Sequence, residues 1–342
     1  MKVNSAASWM IIIAMVMLAL IYGQSLFVPF IIALLTWFVV KKTRNSIDKI
    51  KFARKYIPKW LKTLIASILV FGVLSITGEV LTYNIEGIVQ AYSTYASNSE
   101  EITLKITEWV NIDGGKDIQQ FIEGGKFTSY LQDFIKSISE IVGNLLLIVF
   151  YIIFLFIEEG LFNRKMELFF DDENRYKAFQ GTSKKIDKML SRYLILKSLI
   201  NLTTSSIAFI IMWSIGLQSP FFWAALIFLF SFIPSIGPIV ATLLPAAFSL
   251  IQFGDFVQMW IILFGIGSVQ VVVGNYVEPR IMGNTLNISP LVAIFSLALW
   301  GSLWGVIGML LSVPITVALI IVMSQFPSTK KVAILLSERG KV

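Results

Sequence analysis

Ten stretches of mostly apolar residues follow one another along the chain, separated by short polar or glycine- and proline-rich breaks. A helix needs about 20 residues to cross a hydrocarbon core about 30 Å thick, at 1.5 Å per residue. The pattern therefore predicts an all-α, polytopic integral membrane protein with about eight transmembrane segments. The stretches are 9–22, 25–40, 63–82, 141–157, 193–215, 220–233, 236–253, 256–277, 290–303 and 305–324.

Two pairs of these stretches are joined by helix-breaking residues. Stretches 220–233 and 236–253 share a Pro-Ser-Ile-Gly-Pro break, and 290–303 and 305–324 share a glycine-rich one. The first member of each pair has about 14 residues, or about 21 Å of helix, which is short for a full span. Each pair is either two thin spans or one re-entrant hairpin. Hairpins entering from opposite sides would bring their tips near the midplane, as expected around a transporter site.

Composition supports the membrane interpretation and excludes several classes of protein. The 342 residues are 56% apolar and only 14% charged, whereas soluble domains average about 25% charged residues. A soluble chain with so few charges could not cover its surface, which excludes an ordinary cytosolic enzyme and a nucleic-acid-binding domain. The absence of Cys and His removes thiolate and His-based catalysis. We therefore expect no enzymatic activity, no cofactor and no metal site.

The distribution of charge predicts the orientation in the membrane. Loop 41–62 has nine basic residues against one acid, and 158–192 has eight basic residues. By the positive-inside rule both face the cytoplasm, and so do the two termini. Region 83–140, with nine acids and four lysines, is expected outside. The first apolar stretch resembles a signal peptide but lacks an Ala-x-Ala cleavage pattern, so we interpret it as an uncleaved anchor.

This membrane topology divides the chain into four predicted parts. Residues 1–82 form N-terminal transmembrane helices around the basic loop, and 83–140 form a small extracytoplasmic helical region. Residues 141–325 form the transmembrane core, which includes a cytoplasmic amphipathic helix over 159–192, either a solvated connector or a partner-binding surface. Residues 326–342 form a cytoplasmic tail.

Candidates for a transport path or gate lie at the 234–238 break, at the end of stretch 256–277 and on a polar stripe within 193–215. Pro234, Gly237 and Pro238 interrupt apolar helix and would free backbone groups, which lipid tolerates only where protein or a water-filled cavity satisfies them; a surface turn is the alternative. Glu278 and Arg280, beside Pro279, form either a gate or an interfacial anchor. The full set of path candidates is Lys197, Asn201, Ser205, Pro234, Gly237, Pro238, Gln270, Asn275, Glu278 and Arg280.

The polar stripe and the small residues of the last pair are also candidates for helix packing. Lys197, Asn201, Thr204 and Ser205 form a polar stripe within 193–215, which either packs against another helix or lines a path. Small residues in the last pair of stretches permit close helix approach. The candidates for hinges or close packing are Gly283, Pro290, Gly301, Gly305, Gly308 and Pro314.

Three motifs resemble signatures of the autoinducer-2 exporter family, a group of bacterial permeases. Phe232–Pro238 resembles its F-I-P-x-I-G-P motif, and Val277–Gly283 resembles its E-P-[KR]-I-M-G motif. Ser289-Pro290-Leu291, followed by the Trp-Gly repeats up to Pro314, resembles its C-terminal signature. The motifs occur in the order and spacing of the family. This sequence departs from the family pattern at Ser235, often Tyr, and at Ser289, often His.

The resemblance implies a multi-pass protein of the bacterial inner membrane, a homo-oligomer with the pentamer as one form, that carries out secondary transport. Export of a small polar solute is the favoured function, with the autoinducer-2 signal as a candidate. Sodium/proton antiport, assigned to other members, is an alternative that we favour less, because Glu79, Asp255 and Glu278 lie near the ends of apolar stretches. A scaffold that does not transport and uses region 83–140 is a third.

Overall fold

The computed structural model describes residues 3–95, 143–170, 172–283, 288–338 and 340, and within them every regular element is helical. Seven of the helices in this part of the chain are long and apolar enough to cross a membrane, which confirms the predicted polytopic, all-α class. The helices are α1 (Val3–Tyr22), α2 (Gln24–Ile47), α3 (Lys51–Tyr56), α4 (Lys59–Tyr95), α5 (Leu145–Phe169), α6 (Glu173–Ser214), α7 (Pro220–Phe230), α8 (Ile236–Phe253), α9 (Phe256–Val272), a π-helical segment (Val273–Val277), α10 (Glu278–Met282), α11 (Pro290–Ser324) and α12 (Pro327–Leu336).

Two stretches differ from the sequence expectation or fall outside the description. Helix α4 continues through Tyr95, and the rest of the region 83–140 lies outside the described residues. Stretch 159–192 does not form the single helix that we expected, because α5 ends at Phe169 and α6 begins at Glu173. The carboxylate of Asp172 accepts a hydrogen bond from the backbone N–H of Asn174 at 2.8 Å. An acidic N-cap of this kind starts a new helix instead of extending the old one.

The chain forms two compact units. The first comprises the described residues within Met1–Leu74, Ser137–Lys184 and Ala298–Leu311. Its apolar centre joins α2 to α5, where Ala33 packs with Ile148 and Ile152. Near the C-terminal end of α2, Arg44 donates two hydrogen bonds to the carboxylate of Glu159 on α5, at 2.7 and 3.1 Å. Sequence analysis did not identify this buried, bidentate ion pair.

The second unit comprises the described residues within Ser75–Lys136, Lys185–Leu297 and Ser312–Val342. One apolar cluster in it brings together α6, α10 and the second half of α11. Helix α8 packs against α7 on one side and α9 on the other. The cluster residues are Tyr193, Ile200, Met282, Val313, Val317 and Ile321.

Both pairs of apolar stretches fold as helical hairpins: the first hairpin consists of α7 and α8, and the second hairpin consists of the two halves of α11. A Cβ added to Gly237 at the start of α8 would lie 1.8 Å from the carbonyl oxygen of Phe230 at the end of α7, so only glycine fits there. In α11 the backbone leaves helical geometry at Trp304 and Gly305, and a Cβ on Gly308 would lie 1.8 Å from the carbonyl oxygen of Trp300. Eight residues of straight helix span about 12 Å, so the chain reverses direction here. Re-entry of the hairpins from opposite membrane faces stays a prediction.

Candidate transport site

A charged pair lies between two apolar helices of the second unit. The ammonium nitrogen Nζ of Lys197, on α6, is 2.6 Å from Oε1 of Glu278, where α10 begins. The two side chains are 10% and 29% exposed, so the lysine is buried and the carboxylate is partly reachable. A buried charge is costly unless it is paired, and each of these groups supplies the other's partner. The sequence offered Arg280 with Glu278 either as a gate or as an interfacial anchor, and the structure places Arg280 on the exposed side of α10.

The π-helical segment Val273–Val277 sets the direction in which Glu278 points. In a regular α-helix a residue eight positions after Gln270 would be rotated by about 80°, at 100° per residue. A π-bulge accommodates one extra residue, which reduces the offset to about 20° and brings Gln270 and Glu278 onto one face. Pro279 accounts for the wider π-helical turn, because in a regular α-helix its ring would clash with the carbonyl four residues earlier.

Asn201 lies one turn after Lys197 on α6 and holds the tip of the first hairpin. Its side-chain amide donates a hydrogen bond of 3.2 Å to the carbonyl of Phe228. The other three carbonyls of the last turn, within 227–230, accept from backbone N–H groups of 231–233. All four carbonyls that a helix leaves unpaired at its C-terminus are thus satisfied. This is the condition for a helix end among apolar helices.

Gln270 presents a buried hydrogen-bond acceptor. Its Nε2 donates to the hydroxyl of Thr242 on α8 at 2.9 Å, and that hydroxyl donates to the carbonyl of Pro238 at 2.9 Å. The remaining oxygen, Oε1 of Gln270, is buried with no hydrogen-bond partner among the described residues. An unpaired buried acceptor costs about 1–3 kcal/mol, so a donor arriving at this oxygen would be bound favourably.

Other residues predicted from the sequence have local roles. Asn275 is exposed and donates to the carbonyl of Val271 at 3.0 Å, and Ser205 is buried but bonds to the carbonyl of Leu202 within its own helix. Neither joins the site. Pro234 lies in the tip of the first hairpin, just before α8.

The predicted hinge and packing residues lie at turns and along α11. Gly283 ends α10 with a φ of 50°, and Pro290 occupies the first turn of α11. Gly301 lies close to Met309, which a Cβ would approach to 2.9 Å, and Pro314 lies inside the second half of α11. Thr242 was missed. Its signal in the sequence is a hydroxyl in an apolar stretch, four residues after a proline.

Comparison with known proteins assigns the chain to a family. Residues 10–328 match the family model described as AI-2E family transporter, and the chain belongs to this family. It is 27% identical over 326 residues to the AI-2 transport protein TqsA of Escherichia coli (strain K12), covering 94% of this chain and 92% of that protein. It is also 26% identical over 340 residues to a protein of Borreliella burgdorferi named "Putative transport protein", covering 98% and 91%. The protein is therefore a multi-pass membrane transporter.

Proposed function

We propose that this AI-2E family transporter exports a small, uncharged polar solute by secondary transport, with the autoinducer-2 signal as the first candidate. The unpaired Oε1 of Gln270, on the same helix face as the Lys197–Glu278 pair, carries the proposal. An oxygen acceptor suits a hydroxyl donor. The neighbouring charges neutralise each other, so the site offers no net charge to attract an ion. The name of TqsA, an AI-2 transport protein, supports the choice of solute.

In the proposed mechanism the solute donates a hydroxyl to Gln270 and to the carboxylate of Glu278 in succession, since eight residues of helix separate them by about 12 Å. Glu278 is suited to this because 29% of its side chain is exposed, and a carboxylate has more lone pairs than the single bond to Lys197 uses. Thr242 is a positioning residue, because its hydroxyl fixes the amide nitrogen of Gln270 and so turns Oε1 away from α8.

Flux measurements in proteoliposomes test this assignment. We expect Gln270→Leu to lower autoinducer-2 efflux about tenfold, equivalent to about 1.4 kcal/mol on the barrier, with an unchanged unfolding midpoint. Gln325→Leu is the matched control, since Gln325 is an exposed glutamine just beyond the end of α11. Equal efflux in wild type and Gln270→Leu would contradict a role for this oxygen.

Sodium/proton antiport is the second candidate, and the partly exposed carboxylate of Glu278 favours it. A carboxylate that alternates between Lys197, a proton and a cation would couple the two ions. In vesicles with more sodium outside than inside, antiport predicts that sodium enters in exchange for protons. The internal pH should then rise, and Glu278→Gln should abolish this rise. Solute export predicts efflux of the signal with no sodium requirement. Absence of both fluxes would leave the scaffold function.

We also propose an inner-membrane location with both termini in the cytoplasm, supported by the basic loop 41–62 and the acidic region 83–140. Because the chain has no cysteine, Lys51→Cys and Thr94→Cys each introduce one labelling site. An impermeant maleimide should label Thr94→Cys in intact cells, and Lys51→Cys only after permeabilisation; labelling of both from outside would refute the topology. A homo-oligomer, with the pentamer as one form, is proposed from family membership and is tested by the mass of the detergent-solubilised protein.

A further inference from the structure

The first unit contains a cavity of about 410 Å³ at one end of α2. Its wall comes from the turn between α1 and α2, the start of α5 and the second hairpin, which contributes Ile307. This volume falls within the range of about 300–1,000 Å³ that is usual for small-molecule sites. A water occupies about 30 Å³, so the space suits a small solute with a few waters.

The lining residues define the kind of molecule that fits. None of them is charged, and the polar ones are Tyr22, Gln24, Ser25 and Asn144, at or beside helix ends, while Val28 and other aliphatic side chains supply the apolar surface. An anion or cation would find no countercharge here. A purely apolar acyl chain would place the polar side chains of Tyr22, Gln24 and Ser25 against hydrocarbon, which is costly.

Pro29 interrupts the hydrogen bonding of α2 beside this wall. It lies inside α2 and has no N–H, so it cannot donate to the carbonyl of Ser25 four residues earlier. Both residues line the cavity. The site combines polar side chains at one end with an apolar surface along its side, a pattern that matches a sugar-like molecule with hydroxyl edges and C–H faces.

The second hairpin is fixed beside this cavity. The indole N–H of Trp304, at the tip, donates a hydrogen bond of 3.1 Å to the carbonyl of Leu20 in the last turn of α1. Ile307, three residues further on, reaches the cavity. A ligand in the cavity would therefore contact both the α1–α2 turn and the hairpin that is tied to it.

We propose that this cavity is a binding site for a small, uncharged, polyhydroxylated molecule. Its contacts are the polar side chains of the α1–α2 turn and of Asn144, with Ile307 closing the side. It is separate in the sequence from the Gln270 site of the second unit. It is independent of the proposed function, since occupancy is measured on the purified protein without any flux.

Protection of an introduced cysteine tests the proposal. Ser25→Cys is nearly isosteric, lines the cavity and gives the chain its only thiol. Ser46→Cys, an exposed serine at the opposite end of α2, is the matched control. D-Ribose is the neutral probe and D-ribonate is its anionic counterpart. Ribose at ten times its Kd should slow maleimide labelling of Ser25→Cys about tenfold, as the free fraction falls by 1 + [L]/Kd.

The expected result is saturable protection by ribose at Ser25→Cys, with much weaker protection by ribonate and none at Ser46→Cys. Gln24 is an exposed position whose substitution leaves the core intact. Adding Gln24→Leu to Ser25→Cys should raise the ribose concentration at which protection is half-maximal. No protection at any ribose concentration, equal protection by ribonate, or equal slowing at Ser46→Cys would each overturn the proposal. Transport without protection refutes the cavity site alone, and protection without transport refutes the proposed function alone.

Discussion

Breaking the Lys197–Glu278 pair should impair both folding and transport, by amounts that follow from its geometry. At 2.6 Å and an effective dielectric constant of about 20, the Coulomb attraction is about 6 kcal/mol, most of which offsets desolvation. Hydrogen bonds to charged groups contribute about 1.5–3 kcal/mol net. Because the carboxylate of Glu278 keeps some contact with solvent, we expect a coupling free energy in this range.

A double-mutant cycle measures that coupling. The cycle combines Lys197→Met, Glu278→Gln and the double variant, with the free energy of unfolding in detergent and solute efflux as readouts. Glu278→Gln leaves the ammonium of Lys197 buried without a charged partner, so efflux should fall about tenfold or more, or about 1.4 kcal/mol. The matched control is the Lys177–Glu173 pair on the same helix, whose side chains are 66% and 78% exposed, where the same substitutions should change little.

The exchanged pair, Lys197→Glu with Glu278→Lys, separates structure from chemistry. It should recover much of the unfolding free energy, because the attraction is restored. If Glu278 contacts the solute, efflux stays low in the exchanged pair. Full efflux in Glu278→Gln, or a coupling free energy near zero, would refute the reasoning that this pair lies at the site.

Three further predictions concern stability. Gly237→Ala should prevent the first hairpin from closing and lower the unfolding midpoint, whereas Gly267→Ala in α9, with open space around its Cβ, should not lower it, because alanine is the better helix former; equal midpoints would contradict the close approach. Arg44→Met removes both bonds to its carboxylate partner on α5, and its cost by denaturant unfolding should be about 3–5 kcal/mol, so an unchanged midpoint would contradict it. The hydrogen bond from Lys62 lowers the pKa of Asp48 below 3.8, so its stabilisation is present above that pH and is lost as the pH falls through the lowered value. The difference in midpoint between wild type and Lys62→Met should therefore shrink in acid, and a constant difference would refute the link.

The sequence singled out most residues of the candidate site but did not indicate which of them contact one another. Lys197 and Glu278 both stood out as charges at apolar helices, yet they are 81 positions apart and no periodicity within either helix specifies the partner. Arg280 was the nearer choice along the chain. The π-helical segment redirected Glu278, and one extra residue in a turn rotates a side chain by about 100°. A change of that kind cannot be read from a regular helical pattern.

The two hairpins were better specified by the sequence. Gly and Pro between short apolar stretches indicated a turn within each pair and left open two thin spans or one re-entrant hairpin, and the structure adds the reason for those glycines. Gly237 and Gly308 each lie where a Cβ would collide with a carbonyl of the preceding helix. The bidentate contact of Arg44 was missed because its partner, Glu159, lies 115 positions away, and a basic residue in a loop of nine gave no reason to single it out.

The contacts of α6 connect the tip of the first hairpin to the charged pair. Asn201 holds the carbonyl of Phe228 near the tip, and Lys197, one turn earlier, holds Glu278. The tip itself is closed by a glycine contact and by a full set of carbonyl partners, so opening it would expose several backbone groups at once, at about 1–3 kcal/mol each. Releasing the ion pair breaks one charged contact. If the proposed function is correct, a small displacement of α6 is therefore expected to change access to the Gln270 face at lower cost than unfolding the tip.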